Sequence, residues 1–231
     1  MKRALLDRLD SFRAESRPAA LVTRIADGAQ ALVADGKVAA GDLELGDPIF
    51  EAIETALRRD KSGPAEPGLF IQVFNPPLRM ILVGAVHISQ NLAPMAAMTG
   101  YDVTIIDPRG AWASEARFPN IDVVQDWPEE AMERLAPDRR TAVVALTHDP
   151  KLDDPALAVA LRSDAFYVGA LGSRKTAAAR AIRLKESGVA DADIARIDGP
   201  IGLDIGAVSP AEIAVAILGK VTVTLRGPKG R

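Results

Sequence analysis

The sequence predicts an α/β fold in which a Rossmann-like, doubly wound parallel sheet follows a small α+β domain. The first observation behind this prediction is an apolar run over residues 79–84 that ends in Gly84. The second is another strand-like run, 101–107, which ends in Asp107 about 20 residues further along the chain. The third is the alternation of strand-like and helix-like patterns from residue 79 onward, because such alternation indicates parallel strands joined by helices.

Composition narrows the class of protein. The chain has 231 residues, of which 48% are hydrophobic and 26% are charged, so it can bury a sizeable core. A net charge of -3 without a block of lysine or arginine argues against nucleic acid as a partner. The sequence has no cysteine, which excludes disulfides and thiolate metal sites. The charged N-terminal residues and the lack of an apolar run of roughly 18 residues predict a cytoplasmic protein that does not enter a membrane.

Residues 1–66 are predicted to form the small α+β domain. Its elements, in chain order, are a helix over 3–15, strands over 19–24 and 29–33, and a helix from about 48 to 59. The turn signal Asp27-Gly28 joins the two strands into a hairpin. A polar segment rich in glycine and proline, 61–68, follows the second helix, and we place the domain boundary inside it, between residues 66 and 67.

Residues 67–231 are predicted to form the Rossmann-like domain, with 69–74 as an extra strand at its start. Further strands are predicted over 79–84, 101–107, 121–124, 141–146 and 165–171, and helical segments over 129–135, 155–161, 175–187 and 210–223. The last helix has a clear start, because Ser209 fits the N-cap, Pro210 the first helical position and Glu212 the far side of a capping box.

Gly84 fits the first turn of a dinucleotide-binding unit, where the chain leaves a buried strand and enters a helix whose amides face a phosphate. Asp107 closes the second strand, where a ribose hydroxyl needs an acceptor and where a carboxylate repels the 2′-phosphate of NADP. Val86 and Ser89 replace the second and third glycines of the fingerprint, and a valine side chain obstructs a pyrophosphate. The alternative is that Gly84 only makes a tight turn and that no ligand binds there.

Ligands of such sheets bind beyond the carboxyl ends of the strands, so the residues that close each apolar run are the candidates for cofactor binding. These candidates are Gly84, Ala85, His87, Asp107, Arg109, Thr147, His148, Gly169, Gly172, Ser173 and Arg174. The segment Gly172-Ser173-Arg174 is the best anion site among them, because glycine frees amides at a helix start while the hydroxyl and the guanidinium donate. Its alternative is a capped helix with a solvated arginine.

Both histidines, His87 and His148, follow apolar strands, which favours contact with a ligand; neither is interpreted as a metal ligand. The segment Asp153-Asp154-Pro155 fits a helix N-cap better than an oxygen-rich metal site. Asp204 lies among apolar neighbours within the glycine-rich segment 198–212, so we expect it to be partly buried and bonded to local amides or to a ligand.

Four motifs occur in order along the chain: residues 78–84, Thr147-His148-Asp149, residues 167–174, and residues 199–206 followed by 209–214. Together they closely resemble the XdhC/CoxI family of xanthine dehydrogenase accessory factors, over roughly residues 70–221. The resemblance implies a C-terminal Rossmann domain and a role in maturing molybdenum hydroxylases. That role comprises binding the molybdopterin-type cofactor, protecting it, and assisting its sulfuration and insertion into the apo-enzyme, which is chaperoning rather than turnover.

The resemblance also implies a ligand and partners. The ligand is molybdopterin or its cytosine dinucleotide form, bound transiently, with residues 172–174 toward phosphate and Asp107 toward ribose. The implied partners are an apo molybdenum hydroxylase, a cysteine desulfurase or a companion subunit, and a second copy of the chain. The family's N-terminal domain usually carries a cysteine and a motif rich in glycine, serine and proline. Here residues 21–28 are abbreviated and cysteine is absent, so either a companion subunit supplies that part or the chain takes no part in sulfur transfer.

Two other functions stay open at the level of the sequence. One is a small NAD-dependent oxidoreductase, for which His148 is the acid or base that the sequence offers near a nicotinamide. The other is a nucleotide-sensing scaffold that regulates assembly without handling the pterin.

Overall fold

The computed structural model describes residues 2–65, 68–110, 112, 114 and 116–227. The chain divides into two compact units, Met1–Pro76 and Pro77–Arg231. The predicted boundary between residues 66 and 67 lies outside the described residues. The first unit contains an antiparallel sheet and the second a parallel one, so the predicted fold class, a Rossmann-like parallel sheet after a small α+β domain, is confirmed.

The N-terminal unit is a five-stranded sheet with a helix on each face. Its strands lie in the order β3-β2-β1-β5-β4. The elements are α1 (Arg3–Ala14), β1 (Ala19–Arg24), β2 (Gln30–Ala34), β3 (Lys37–Gly41), α2 (Asp47–Arg59), β4 (Gly63–Pro64) and β5 (Leu69–Phe74). Leu21 of β1 faces the apolar side of α1, whereas the next residue, Val22, faces α2. Because successive side chains of a strand point to opposite faces, β1 is buried on both sides.

Strand β5 belongs to this antiparallel sheet. It pairs with β1 along its whole length, from Phe74 opposite Ala19 to Leu69 opposite Arg24. The sequence analysis placed residues 69–74 in the second domain, and the pairing corrects that placement. The cause is long-range, because β5 pairs with β1 from the start of the chain, while the short β4 pairs with the other side of β5.

The C-terminal unit is a six-stranded parallel sheet with helices on both faces. Its strands lie in the order β11-β10-β9-β6-β7-β8. The elements are β6 (Leu78–Val83), α3 (His87–Met98), β7 (Tyr101–Ile106), β8 (Asp122–Val124), α4 (Pro128–Leu135), β9 (Thr141–Ala145), α5 (Pro150–Arg162), β10 (Tyr167–Ala170), α6 (Arg174–Glu186), α7 (Asp191–Ile194), β11 (Ile197–Asp198) and α8 (Pro210–Arg226). The chain builds outward from β6 in one direction and then from β9 in the other, so the topological switch point lies between β6 and β9.

Burial on both faces of the parallel sheet explains why its strands read as continuous apolar runs. In β6, Met80 and Leu82 join the cluster beneath α3 and α8, while Ile81 and Val83 join the cluster beneath α4, α5 and α6. Across the part of the chain that the structure describes, no helix combines the length and apolarity that a membrane crossing takes.

Two helix starts test the local signals of the sequence. The predicted capping box of α8 is confirmed: the Ser209 side chain accepts from the Glu212 amide, and the Glu212 side chain accepts from the Ser209 amide. The N-cap predicted at Asp153-Asp154-Pro155 is wrong. Helix α5 begins earlier, at Pro150, because the Asp149 side chain accepts a hydrogen bond from the amide of Lys151 (3.0 Å).

Candidate functional site

The carboxyl ends of β6, β7, β9 and β10 meet at one edge of the parallel sheet, around the switch point. The loops after β6 and β9 touch there. Gly84 has a φ of +111°, and a Cβ at this position would lie 2.6 Å from Cγ2 of Thr147. Glycine is therefore required for both the backbone conformation and the close approach of the two loops.

Asp107 lies beneath the loop after β6 and is fully buried (0% exposed). One oxygen, Oδ2, accepts hydrogen bonds from the Ala85 amide (2.7 Å) and from Nη2 of Arg109 (2.7 Å). The other oxygen, Oδ1, accepts from the Arg109 amide (2.9 Å) and from Nε of Arg109 (2.8 Å). The carboxylate thus ties the turn before α3 to the start of the loop that follows β7.

The electrostatics of Asp107 follow from these four bonds. Burial by itself raises the pKa of the carboxyl, but the hydrogen bonds from the Arg109 side chain, the Ala85 amide and the Arg109 amide outweigh it and hold the pKa below its ordinary value. Both oxygens are engaged by the protein, so contact with a ribose hydroxyl requires one of these bonds to be exchanged. The role of Asp107 as a ribose acceptor stays a prediction.

Val86 and Ser89, which replace two glycines of the dinucleotide-binding fingerprint, lie at the start of α3. Val86 occupies the N-cap position, where its side chain forms no capping hydrogen bond. Ser89 is fully buried, and its hydroxyl donates to the carbonyl oxygen of Gly84. His87, the first residue of the helix, is exposed, and its Nδ1 lies 3.2 Å from Oε1 of Gln90. Ser89 therefore stabilises the turn itself.

The loop between β7 and β8 carries two residues that the sequence analysis missed, Trp112 and Arg117. Arg117 Nη1 donates to the carbonyl oxygens of Ala85 (2.9 Å) and Trp112 (2.6 Å). The guanidinium carbons of Arg109 and Arg117 lie 5.8 Å and 5.4 Å from the centroid of the Trp112 ring. The available signal was a segment without strand or helix periodicity at the predicted ligand edge, since such loops carry function disproportionately.

The loop after β9 is held from below by Asp153. Its Oδ1 accepts hydrogen bonds from the hydroxyl (2.7 Å) and the amide (3.2 Å) of Thr147, and its Oδ2 accepts from the amide of His148 (3.1 Å). His148 has a φ of +61° and an exposed side chain. The buried carboxylate thus holds His148 in a left-handed conformation that presents its imidazole to solvent.

Asp153 is paired with Arg180 of α6, another residue that the sequence analysis missed. Arg180 is 2% exposed; its Nη2 lies 3.7 Å from Oδ2 of Asp153 and donates to the carbonyl oxygen of Leu171 (3.0 Å). Its Nε and Nη1 form no hydrogen bond within the described parts of the chain, and the guanidinium lines a cavity of about 90 Å³. The signal was helical spacing, because Arg180 shares a face with Ala177 and Leu184.

The pKa of Asp153 moves in the opposite direction from that of Asp107. Burial raises it, and although the hydrogen bonds from Thr147 and the charges of Arg180 and His148 lower it, burial prevails. The guanidinium contacts contribute to this difference, because that of Arg109 bonds directly to Asp107, whereas that of Arg180 stays beyond hydrogen-bond distance of Asp153, where burial has the larger effect.

At the end of β10, Ser173 caps α6 by accepting a hydrogen bond from the amide of Thr176 (3.2 Å). Arg174 is exposed, and within the described ranges its side chain forms no hydrogen bond or ion pair. Gly172 has a positive φ and leads into this cap. These contacts agree with a capped helix and leave the guanidinium free for an anion, so anion binding by residues 172–174 stays a prediction.

Two further candidates have different surroundings from those expected. Gly169 is buried, and a Cβ there would lie 2.6 Å from Cδ1 of Ile201 and 2.7 Å from the hydroxyl of Tyr167. It therefore makes room for the segment that follows β11. The expected partial burial of Asp204 is wrong: its side chain is exposed, while the neighbouring Leu203 is the residue that packs inward, against Gly219.

The two sides of the switch point lie within electrostatic range of each other. The pKa of Arg109 is raised by its hydrogen bond to Asp107, against the effect of burial, and further by the negative charges of Asp149 and Asp153. Among the residues with described positions, no group of three or more histidine, aspartate or glutamate side chains is arranged so that it could hold a metal ion.

Known proteins are similar to this chain. Residues 80–221 match the family model described as the XdhC Rossmann domain. The chain is 31% identical over 157 residues to a probable xanthine dehydrogenase subunit of Bacillus subtilis (strain 168), a match that spans 68% of this chain and 46% of that protein. It is 30% identical over 148 residues to the molybdenum cofactor insertion chaperone PaoD of Escherichia coli (strain K12), a match that spans 64% of this chain and 40% of that protein.

The aligned part of this chain thus spans less than half the length of these two relatives. A crystal structure of a xanthine dehydrogenase from Bacillus halodurans matches with a TM-score of 0.75 over 97% of this chain and 67% of that one. The two chains are 23% identical, so this likeness concerns the fold alone.

Proposed function

This chain belongs to the XdhC family, and from that premise we propose that it is a maturation chaperone for a molybdenum hydroxylase of the xanthine or CO dehydrogenase type. It binds a molybdopterin-type cofactor as cargo at the carboxyl edge of the parallel sheet and assists its insertion into the apo-enzyme. The observation that carries the proposal is the family match, which covers residues 80–221 and with them every loop of the candidate site.

The chemistry of the edge suits an anionic cargo. Arg174 is an exposed cation at the start of α6 that has no protein partner among the described residues, and His87 and His148 expose imidazoles at the starts of α3 and α5. Helix N-termini favour anions because their first amides lack intrahelical acceptors and the helix dipole is positive there. In this proposal Arg174 and the first amides of α6 bind the phosphate of the cargo, and His148 faces it from the neighbouring loop.

The alternative of an NAD-dependent oxidoreductase is less well supported. Val86 stands where close approach of a pyrophosphate favours glycine, and Ser89 fills the space under the turn with its hydroxyl. Asp107, which that alternative needs as the acceptor for ribose, is buried and already bonded to Ala85 and Arg109, but this applies equally to the ribose of the cytosine dinucleotide form and does not separate the two functions. A nucleotide-sensing scaffold does not handle the pterin, whereas the chaperone binds it. Titration with the pterin therefore distinguishes the two functions.

We would titrate the chain anaerobically by calorimetry with molybdopterin, with its cytosine dinucleotide form and with NAD. The proposal expects saturable binding of at least one pterin form and no saturable binding of NAD. Binding of NAD alone would indicate the oxidoreductase, and binding of none of the three would contradict the chaperone role. A second arm mixes the loaded chain with an apo molybdenum hydroxylase and measures the activity that the hydroxylase regains.

Arg174→Ala tests the phosphate contact. Loss of a charge-assisted hydrogen bond is expected to weaken pterin binding by roughly 1.5–3 kcal/mol, with little change in the melting temperature because the side chain is exposed. Lys175→Ala is the matched control, since it removes the same charge from the adjacent exposed position of α6. If both variants bind like the parent chain, Arg174 does not belong to the site.

The remaining partners stay predictions. The resemblance predicts a homodimer and either a cysteine desulfurase or a companion subunit, and a pull-down with the purified chain followed by sizing in solution checks both. The absence of cysteine makes the desulfurase the informative partner, because sulfur carried by this chain has no thiol to reside on.

A further inference from the structure

Trp112 is an aromatic side chain at the candidate site that no step above uses. We propose that its indole is a stacking platform for the planar nitrogen heterocycle of the cargo, which makes it a cargo-contacting residue of the crevice; this inference rests on the proposed function.

The indole is held by a closed circuit of contacts that begins and ends at Ala85. The Ala85 amide donates to Asp107, and Asp107 accepts two hydrogen bonds from the Arg109 guanidinium. That guanidinium lies over the Trp112 ring at 5.8 Å, as does that of Arg117 at 5.4 Å. Arg117 then donates back to the carbonyl oxygen of Ala85. Cation–π contacts within about 6 Å are attractive, so the circuit fixes the indole beside the turn that opens α3.

The guanidinium groups of Arg109 and Arg117 donate hydrogen bonds to other groups of the protein. Nε and Nη2 of Arg109 bond to Asp107, and the two terminal nitrogens of Arg117 bond to the carbonyl oxygens of Ala85 and Trp112 and to Oε1 of Gln90. Their hydrogen bonds orient the platform, which leaves the indole as the surface that the cargo touches.

Trp112 is nevertheless 48% exposed. Ordering a large apolar ring in water costs side-chain entropy and leaves its hydrophobic gain unrealised. A flat ring that covers the indole realises the hydrophobic gain, and binding costs no further side-chain entropy because the indole is already ordered. A preorganised and half-exposed tryptophan at the ligand edge of a doubly wound sheet therefore fits an aromatic ligand.

The charges of Arg109, Arg117 and Asp107 favour one class of ring-containing ligand. Within these contacts two guanidiniums stand against the single carboxylate of Asp107, which gives a net formal charge of +1, and the exposed imidazole of His87 lies on the same turn. Asp149 and Asp153 act on Arg109 from the other side of the switch point. A neutral aromatic ligand gains nothing from this charge, whereas a heterocycle that carries a phosphate does. Molybdopterin and a cytidine nucleotide both have this chemistry, and the experiment distinguishes them.

Calorimetric titrations with molybdopterin and, separately, with CMP test the platform on the whole chain and on three variants. Trp112→Ala is expected to weaken binding of the stacked probe at least about tenfold, while Trp112→Phe keeps a ring and stays within about threefold of the parent. Trp127→Ala is the matched control, because Trp127 is the other tryptophan of the chain and is also exposed. This variant should bind molybdopterin and CMP with the affinity of the parent chain. The probe that loses affinity identifies the ring that stacks.

A second readout does not depend on the alanine variant folding. In a Trp127→Phe chain all tryptophan fluorescence comes from Trp112, and saturating CMP or molybdopterin should protect it from quenching by acrylamide. If the parent chain binds a probe but Trp112 is not protected and Trp112→Ala binds equally well, the platform is wrong and the chaperone proposal stands. If the parent chain binds neither CMP nor molybdopterin nor the cytosine dinucleotide form of molybdopterin, both proposals are overturned.

Discussion

Asp107, which follows β7, and Asp153, in the first turn of α5, lie on opposite sides of the switch point, and they behave differently. Each is a buried aspartate that holds a ligand-edge loop by accepting hydrogen bonds from its backbone amides. Asp107 bonds directly to a guanidinium that reaches solvent, and its pKa is lowered; Asp153 faces the buried Arg180 at 3.7 Å, and its pKa is raised. Both carboxylates accept direct hydrogen bonds, but only Asp107 accepts them from a guanidinium, and those bonds offset the effect of burial that prevails at Asp153.

The two sides of the ligand-binding edge also differ in which groups they expose to solvent. On the β6–β7 side the charged groups bond to one another, and an aromatic ring is the part left open. On the β9–β10 side the charged pair is buried beneath the loops, and His148 and Arg174 are left exposed above it. The first side is therefore suited to a flat ring and the second to an anion.

Removing the buried cation should have the largest effect on stability. Arg180→Met leaves Asp153 without its buried counter-charge and the Leu171 carbonyl without its donor, so we expect the free energy of unfolding to fall by about 3–5 kcal/mol in urea titrations. Arg183→Met, one turn further along α6, removes a half-exposed arginine that pairs with Asp154 and should cost less than about 1 kcal/mol. Equal losses in the two variants would contradict the buried-pair interpretation.

The opposite pKa directions predict opposite dependences on pH. Asp107→Asn should cost about 2–3 kcal/mol at neutral pH, because the buried carboxylate loses charge-assisted hydrogen bonds. A lowered folded pKa gives stability that is present above the unfolded value of 3.8 and is lost as the pH falls through the folded pKa. The deficit of Asp107→Asn should therefore shrink as the solution is acidified below that value.

Asp153→Asn is the counterpart, and its deficit should shrink in the other direction. A raised folded pKa gives stability that is fully present below 3.8 and is lost as the pH rises through the folded pKa. Urea unfolding across this range checks both variants, with Asp102→Asn as the control because Asp102 is exposed on β7. Parallel pH profiles for Asp107→Asn and Asp153→Asn would contradict the opposite pKa directions of the two carboxylates.

Gly84→Ala tests the contact that joins the two sides, and its expected cost is about 2 kcal/mol or less. The new Cβ meets Cγ2 of Thr147 and adds backbone strain at positive φ. Gly100→Ala isolates the strain, since Gly100 also has a positive φ but nothing within 4 Å. Combining Gly84→Ala with Thr147→Ser removes the clashing methyl and should restore part of the melting temperature; no restoration would show that strain alone sets the cost.

Local signals explain what could be predicted of the site. Gly84 ends an apolar run and Ser173 begins a helix, and both lie at the expected edge of the sheet because strand and helix signals act over a few residues. Asp153 shows how such signals fail. Asp149-Pro150 and Asp154-Pro155 give the same acidic-residue-then-proline pattern, and only the contact with the loop after β9 shows that Asp153 lies inside the helix.

The parallel sheet, the turn at Gly84, the capping box of α8 and the family could all be predicted from the amino-acid sequence, because each depends on periodicity or on residues adjacent in the chain. Four features could not be predicted that way: β5 joins β1, Asp107 is bonded to Arg109 and the Ala85 amide, Arg180 is buried beneath the Leu171 loop, and Asp204 is exposed. These features depend on which distant segments approach one another. Burial and pairing across tens of residues are set by the packing of the whole unit, and no short window of sequence contains that information.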